Sequence, residues 1–329
     1  MVNAIRQGAI SSRPRTLLVG IAAVVVIGAA VFWFVTIPAT VPASALPPYA
    51  PNLDNGKLMF NIGGCASCHA TPDKDPDKVD RTRLGGGLAL GSPFGTFHAP
   101  NISPDRKDGI GDWSEANFVT ALWEGTSEHG RHLFPAFPYT SYRHMELDDV
   151  RDLFAYLMTL PPVPGRAPRH DLSFPFNIRR LVGGWKLLFL RGGPFVPDPS
   201  RSPQWNRGAY LVNGPAHCAE CHSPRNLFGG IIDSERFAGG PAADGKGWVP
   251  NITPAGLGNW GEDHIAWKEK DIASFLEDGG NPGGDYAGGS MAEVIRNTSL
   301  ISAEDRMAIA NYIASLPPRQ GPSPPPKKE

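Results

Sequence analysis

The sequence predicts a mostly α protein: one membrane-crossing helix followed by two tandem copies of a single small helical domain. Three observations predict it. Leu17 to Ile37 is a run of 21 residues, apolar but for Thr36, the length that spans a bilayer core of about 30 Å. Beyond it, four strings occur twice in the same order, which marks an internal duplication. Finally, no stretch of useful length alternates apolar and polar residues as a half-buried strand does. At 329 residues the chain has room for two ordinary domains and extra segments.

The elements follow in order. Arg6, Arg13 and Arg15 precede the apolar run and no acidic residue does, so residues 1–16 are expected in the cytoplasm. Ala43-Ser44-Ala45 resembles a signal cleavage site. The run is longer than a usual signal core, however, and it carries Phe32-Trp33-Phe34 near its end, so 17–37 is read as an uncleaved transmembrane helix. The Pro-rich segment 38–52 is expected to be an extended spacer.

The first copy, 53–163, runs "GKLMFNIGGCASCHA", "APNISPD", "WSEANFVTALWEG" and "LDDVRDLFAYLMTLPP". The second, 200–317, runs "GAYLVNGPAHCAECHS", "VPNITPA", "WKEKDIASFLEDG" and "SAEDRMAIANYIASLPP". Matched positions stay 150 to 156 residues apart throughout. In each copy a short helix leads into a Cys-x-x-Cys-His motif and a Gly-rich loop region follows. A helix then begins near Trp113 or Trp267, with Phe118, Val119 and Leu122 (or Ile272, Phe275 and Leu276) at helical spacing. A last helix opens on an acidic turn and ends at Leu160-Pro161 or Leu316-Pro317. Between the copies, 164–199 is basic and aromatic. It is read as a linker packed across both domains, the alternative being a surface that docks a partner subunit or a lipid headgroup layer. The tail 318–329 reads as disordered.

All four cysteines lie in two copies of one pattern, Cys65-Ala-Ser-Cys68-His69 and Cys218-Ala-Glu-Cys221-His222. A thioredoxin-like redox pair needs a βαβ setting and no following histidine. A structural zinc needs four ligands, so two pairs 153 residues apart would have to meet. Covalent haem needs two thiols one helical turn apart and a histidine beside them, and each motif supplies that set. The fold class expected is therefore mostly α, with two tandem cytochrome c-type haem domains after an N-terminal transmembrane helix. The cofactors expected are two covalently attached haem c groups. Cys65, Cys68, Cys218 and Cys221 would form the thioethers, and His69 and His222 the proximal bonds to iron.

The sixth ligands come from a short supply of methionines. Met291, after "GGDYAGGS", is the candidate in the second copy; Met307 reads as packing within the last helix. In the first copy Phe137 stands opposite Met291 and cannot ligate iron. Met145 is the loop candidate there; His132 and His144 are alternatives, with His98 and His129 behind them, and an open site is the third possibility. Met59 and Met158 read as core. Asn101 and Asn251 fit Asn-x-Ser/Thr, but export with haem in a bacterium argues against glycosylation, and their loops are read as walls beside the haem edge. The charge is nearly balanced, 31 Lys and Arg against 32 Asp and Glu, which leaves no nucleic-acid footprint. No P-loop, nucleophile elbow or dinucleotide fingerprint appears.

The strings "APNISPD", "GIGDWSEANFVTALWEG", "HLFPAFPYTSYRHM", "GGSMAEVIRNTS" and "ISAEDRMAIANYIASLP", with both haem motifs, resemble the cytochrome c subunits of bacterial membrane-bound dehydrogenases. That family serves alcohol, aldehyde, gluconate, fructose and nicotinate-type enzymes, and the resemblance covers about residues 50 to 317. It implies a relay in which a dehydrogenase subunit carrying flavin, quinone or molybdenum is the donor. A quinone, an oxidase or a soluble cytochrome would be the acceptor. It also implies methionine ligands in the "SYRHM" and "GGSM" segments, Met145 and Met291. Many members have three haem domains and a C-terminal membrane helix, whereas two haem domains and an N-terminal anchor are read here. The expected place is the bacterial inner membrane, single-pass, with the haem domains in the periplasm. The alternative function is a haem enzyme, peroxidase-like or thiosulfate-dehydrogenase-like, with one exchangeable ligand.

Overall fold

The apolar run forms a helix, α1 (Arg13–Val35), in a computed structural model that describes residues 13–75, 78–261 and 264–324. Its stretch Leu17–Val35 has a mean hydropathy of 2.7 and is buried by no other part of the protein. The chain through Ile37 forms one unit, and Pro38–Glu329 forms another. The Arg6 reading falls outside the described residues.

In the first half of the larger unit, α2 (Leu53–Ile62) starts at Asn52, whose side chain accepts from the backbone N–H of Asp54 and Asn55. Next come α3 (Cys65–His69) and the hairpin of β1 (Ala89–Ser92) and β2 (Gly95–His98). A capping box between Ser114 and Asn117 opens α4 (Glu115–Glu124), and α5 (Tyr139–Tyr142) and α6 (Leu147–Leu157) complete the half. The connecting segment adds β3 (Asp171–Leu172), antiparallel to β2, and α7 (Arg179–Phe189). The second half repeats the plan. α8 (Pro203–Asn213) and α9 (Ala219–His222) are followed by the pair β4 (Gly240–Pro241) and β5 (Trp248–Val249). Then come α10 (Pro254–Leu257), α11 (Glu269–Asp278), α12 (Ser290–Thr298) and α13 (Ala303–Ala314). The strands are two to four residues long, too short to print a period-2 pattern on the sequence.

Each half is built on one close helix crossing, α2 over α6 and α8 over α13. Gly56 and Gly208 make the crossings possible. A Cβ on Gly56 would lie 2.2 Å from the Asp152 carbonyl oxygen, and one on Gly208 1.9 Å from that of Ala308. Around the crossings Met59, Val119, Val150 and Leu157, with Leu211, Ile272 and Ile309, belong to one continuous apolar core. Burying each such side chain contributes about 1.5–3 kcal/mol.

The segment 164–199 is more structured than a linker. Val182 packs with Phe97 and Phe134 in a second small core. Trp185 donates to the Phe228 carbonyl at 2.9 Å, and Lys186 reaches the C-terminus of α4. Its other side leaves Phe174, Leu181, Leu187 and Leu188 exposed. The tail needs a correction at its start. The Arg319 carbonyl accepts from Asn251 at 2.7 Å and the Arg319 guanidinium donates to the Asp233 carbonyl, so the chain just after Pro318 is docked rather than disordered. Residues 325–329 lie outside the described residues.

Candidate haem centres

Both Cys-x-x-Cys-His motifs fold as a single helical turn, α3 and α9, which brings the two thiols of each pair onto one face. Each turn is entered through a residue in left-handed conformation, Gly64 (φ 61°) and its counterpart His217 (φ 41°). The His69 ring donates Nδ1–H to the Pro100 carbonyl at 2.8 Å, and the His222 ring donates Nδ1–H to that of Pro250 at 2.9 Å. A carbonyl can only accept, so both rings are held with the proton on Nδ1 and the lone pair on Nε2. Such an outer hydrogen bond fixes the orientation of a metal-binding imidazole. The backbone repeats as well. Gly86 N–H donates to the His69 carbonyl at 2.9 Å, and Gly239 N–H to that of His222 at 2.8 Å. Both glycines have positive φ, and a Cβ on either would collide with backbone at Pro100 or Pro250.

The electrostatics of the thiols bear on the chemistries proposed for them. Burial pushes the Cys65 and Cys218 thiols up to about 12, and it raises Cys68 and Cys221 as well. A redox nucleophile works as thiolate and needs the opposite shift. A thioether carries no charge, so burial costs it nothing. Burial also pushes His69 and His222 below the usual imidazole range, which keeps them neutral and able to ligate. All six side chains nevertheless stay partly reachable by solvent. Among the described residues, no three His, Cys, Asp or Glu side chains gather as a metal-ion cluster. The donor set fits covalent haem.

The cytochrome c family model matches residues 53–161. A "Diheme cytochrome c-type" protein of Cereibacter sphaeroides is 46% identical over 304 residues, 92% of this chain and 98% of that protein. This chain belongs to the cytochrome c family. A nicotinate dehydrogenase subunit of Pseudomonas putida is 40% identical over 90% of the cytochrome and 24% of its own length. The fructose dehydrogenase cytochrome subunit of Gluconobacter japonicus is 36% identical over 84% of the cytochrome and 54% of its own length. The cytochrome thus spans about half, or less, of these two dehydrogenase subunits.

The cytochrome places the sixth-ligand candidates on two different kinds of backbone. Met145 lies in the bend between α5 and α6, 1% exposed, with its carbonyl accepting from the Trp123 indole at 3.2 Å. Met291 is half-buried in the first turn of α12, which begins at Ser290. Of the alternatives, His144 donates Nδ1–H to the Gly193 carbonyl at 2.8 Å, and His129 pairs with Glu128 at an exposed turn. The His98 backbone N–H donates to His170, whose ring packs edge-on against Phe97 and Phe134. The carbonyl of His132 accepts from Arg179, whose guanidinium lies 4.5 Å over the Phe134 ring. His98 and His132 therefore border the small second core.

Two residues whose role the sequence did not reveal hold the histidine side in place. Asn101 donates to the Val163 and Gly165 carbonyls at 2.7 and 2.9 Å, while its oxygen accepts from the N–H and hydroxyl of Ser103. Asn251 does the same with Arg319 and Thr253. Each therefore clasps the strand leaving the last helix of its half onto the loop that carries the proline carbonyl. The repeated "PNI[ST]P" string was the available signal.

Proposed function

We propose that this cytochrome is a membrane-anchored carrier of two covalent haem c groups. It would pass electrons from a dehydrogenase catalytic subunit to the respiratory chain on the periplasmic face of a bacterial inner membrane. Domains 53–163 and 200–317 would carry one haem each, on Cys65, Cys68 and His69 and on Cys218, Cys221 and His222. The observation that carries the reading is the duplicated histidine geometry, an Nδ1–H locked on a proline carbonyl in both halves. When bound, each haem supplies an iron that exchanges one electron without bond making. The chain's part is to fix the imidazoles, to present Met145 and Met291 as sixth ligands and to hold the two motifs close.

That closeness has a structural basis in the protein itself. A Cβ on Gly63 would lie 3.8 Å from the Pro215 carbonyl, and His217 Nε2 donates to the Gly63 carbonyl at 3.3 Å. The names of the relatives support a dehydrogenase as donor, and α1 supports the anchor. Haem staining after denaturing electrophoresis and a mass increase of two haems test the cofactor assignment. Met145→Ala and Met291→Ala should each remove about half of the far-red methionine-to-iron absorption band. A chain without covalent haem overturns the function; an unchanged Met145→Ala spectrum overturns that ligand.

A further inference from the structure

The two halves meet through contacts that cross over. In each motif the residue before the second cysteine, Ser67 or Glu220, points into the other half. The Ser67 hydroxyl accepts from Asn297 Nδ2 at 2.9 Å, and Asn297 stands on α12, the helix that begins beside Met291. The Glu220 carboxylate accepts from the Thr140 hydroxyl at 2.7 Å and the Ser141 hydroxyl at 2.8 Å, on α5, which leads into Met145. The partners correspond as well. At the 156-residue spacing that matches Leu160 with Leu316, Ser141 matches Asn297. The interface is therefore isologous in the sense of a twofold dimer, with residue i meeting j and j meeting i.

Each contact has its own support. Arg225 pairs with Glu220 at 2.6 Å and holds the charge of a side chain that is 11% exposed. On the other side Arg81, from the first half, donates to Asn297 and pairs with Glu293 of α12 at 2.8 Å. The Glu220 carboxylate is largely shielded while the Arg81–Glu293 pair is partly exposed, and charge-assisted hydrogen bonds are among the stronger positional constraints a fold can supply.

We infer that Glu220 and Ser67 are positioning residues acting across the interface, so that each haem motif holds in place the sixth-ligand segment of the opposite haem. The inference rests on the ligand reading above. Its consequence is that the bond from Met145 to iron depends on a residue of the second motif, and the bond from Met291 on a residue of the first.

Imidazole, which competes with methionine for ferric haem, reads the strength of each bond in the intact chain. Met145→Ala and Met291→Ala first assign the two halves of the far-red band; if neither removes any, the ligand reading fails and the inference with it. Given that assignment, Glu220→Ala should raise imidazole affinity about tenfold at the haem assigned to Met145, and leave the other within about twofold. Ser67→Ala, which removes one half-buried hydroxyl, should raise it about two- to fivefold at the haem assigned to Met291. Glu220→Gln, still an acceptor for both hydroxyls, should restore most of the wild-type value. Effects confined to each residue's own haem, equal at both haems, or absent in both alanine variants overturn the inference.

Discussion

At the scale of single residues, the histidine side of each site is better determined than the methionine side. His69 and His222 each have one ring nitrogen committed to a carbonyl, which leaves the other as the candidate donor to iron. Those carbonyls lie 31 and 28 residues further along the chain, but the histidines themselves, as candidate ligands in a motif of five consecutive residues, were legible in the sequence. The clasp by Asn101 was not. Its partners lie 62 and 64 residues further along the chain, and a local string does not show where its side chain goes. Asn101 has all its hydrogen-bonding capacity used and is 5% exposed. Asn101→Ala should therefore cost about 2–3 kcal/mol by leaving the Val163 carbonyl and the Ser103 amide short of partners. Denaturant unfolding of the variant beside the wild type measures it; a loss under about 0.5 kcal/mol would show that the clasp is decorative.

At the scale of elements, α7 turns a connecting segment into part of the core. Lys186 Nζ donates to the carbonyls of Glu124 and Gly125, where α4 ends, and lies 5.1 Å from the centre of the Tyr139 ring. Burial pushes its amine from 10.5 down to about 7, against the opposing pull of the nearby Glu124 carboxylate. The sign follows. Between about pH 7 and the ordinary lysine value the unfolded chain binds more protons than the folded one, so stability rises with pH across that window. Thermal unfolding should thus shift upward from about pH 7 to about pH 9 in the wild type. Lys186→Met should remove that rise, and a variant with an undiminished rise would place its origin elsewhere. The basic and aromatic composition of 164–199 hinted at packing, but only the fold shows which residues face inward. Val182 and Lys186 do; Leu187 and Leu188 do not.

At the scale of the whole molecule, the duplication has produced one body rather than two beads. Residues 38–329 form a single unit, and Tyr210 reaches across to hydrogen bond with Asp149. Phe195 and Tyr210 stack with ring centroids 5.6 Å apart, and Tyr142 meets His217 at a similar distance. Calorimetry of the holo chain should show a single unfolding transition, with the van't Hoff enthalpy equal to the calorimetric one. Two separate transitions would mean that the halves are independent. The sequence alone determined the apolar helix, the repeat, the helical class and the candidate haem-binding pentapeptides, because each is written in neighbouring residues or in a period. Only the tertiary structure decided how the halves face each other, which places Glu220 against Ser141 and Ser67 against Asn297. Those pairs lie 79 and 230 residues apart. No periodicity or spacing encodes such a contact; it exists once two similar surfaces have packed around a shared axis and brought their polar groups within reach of each other.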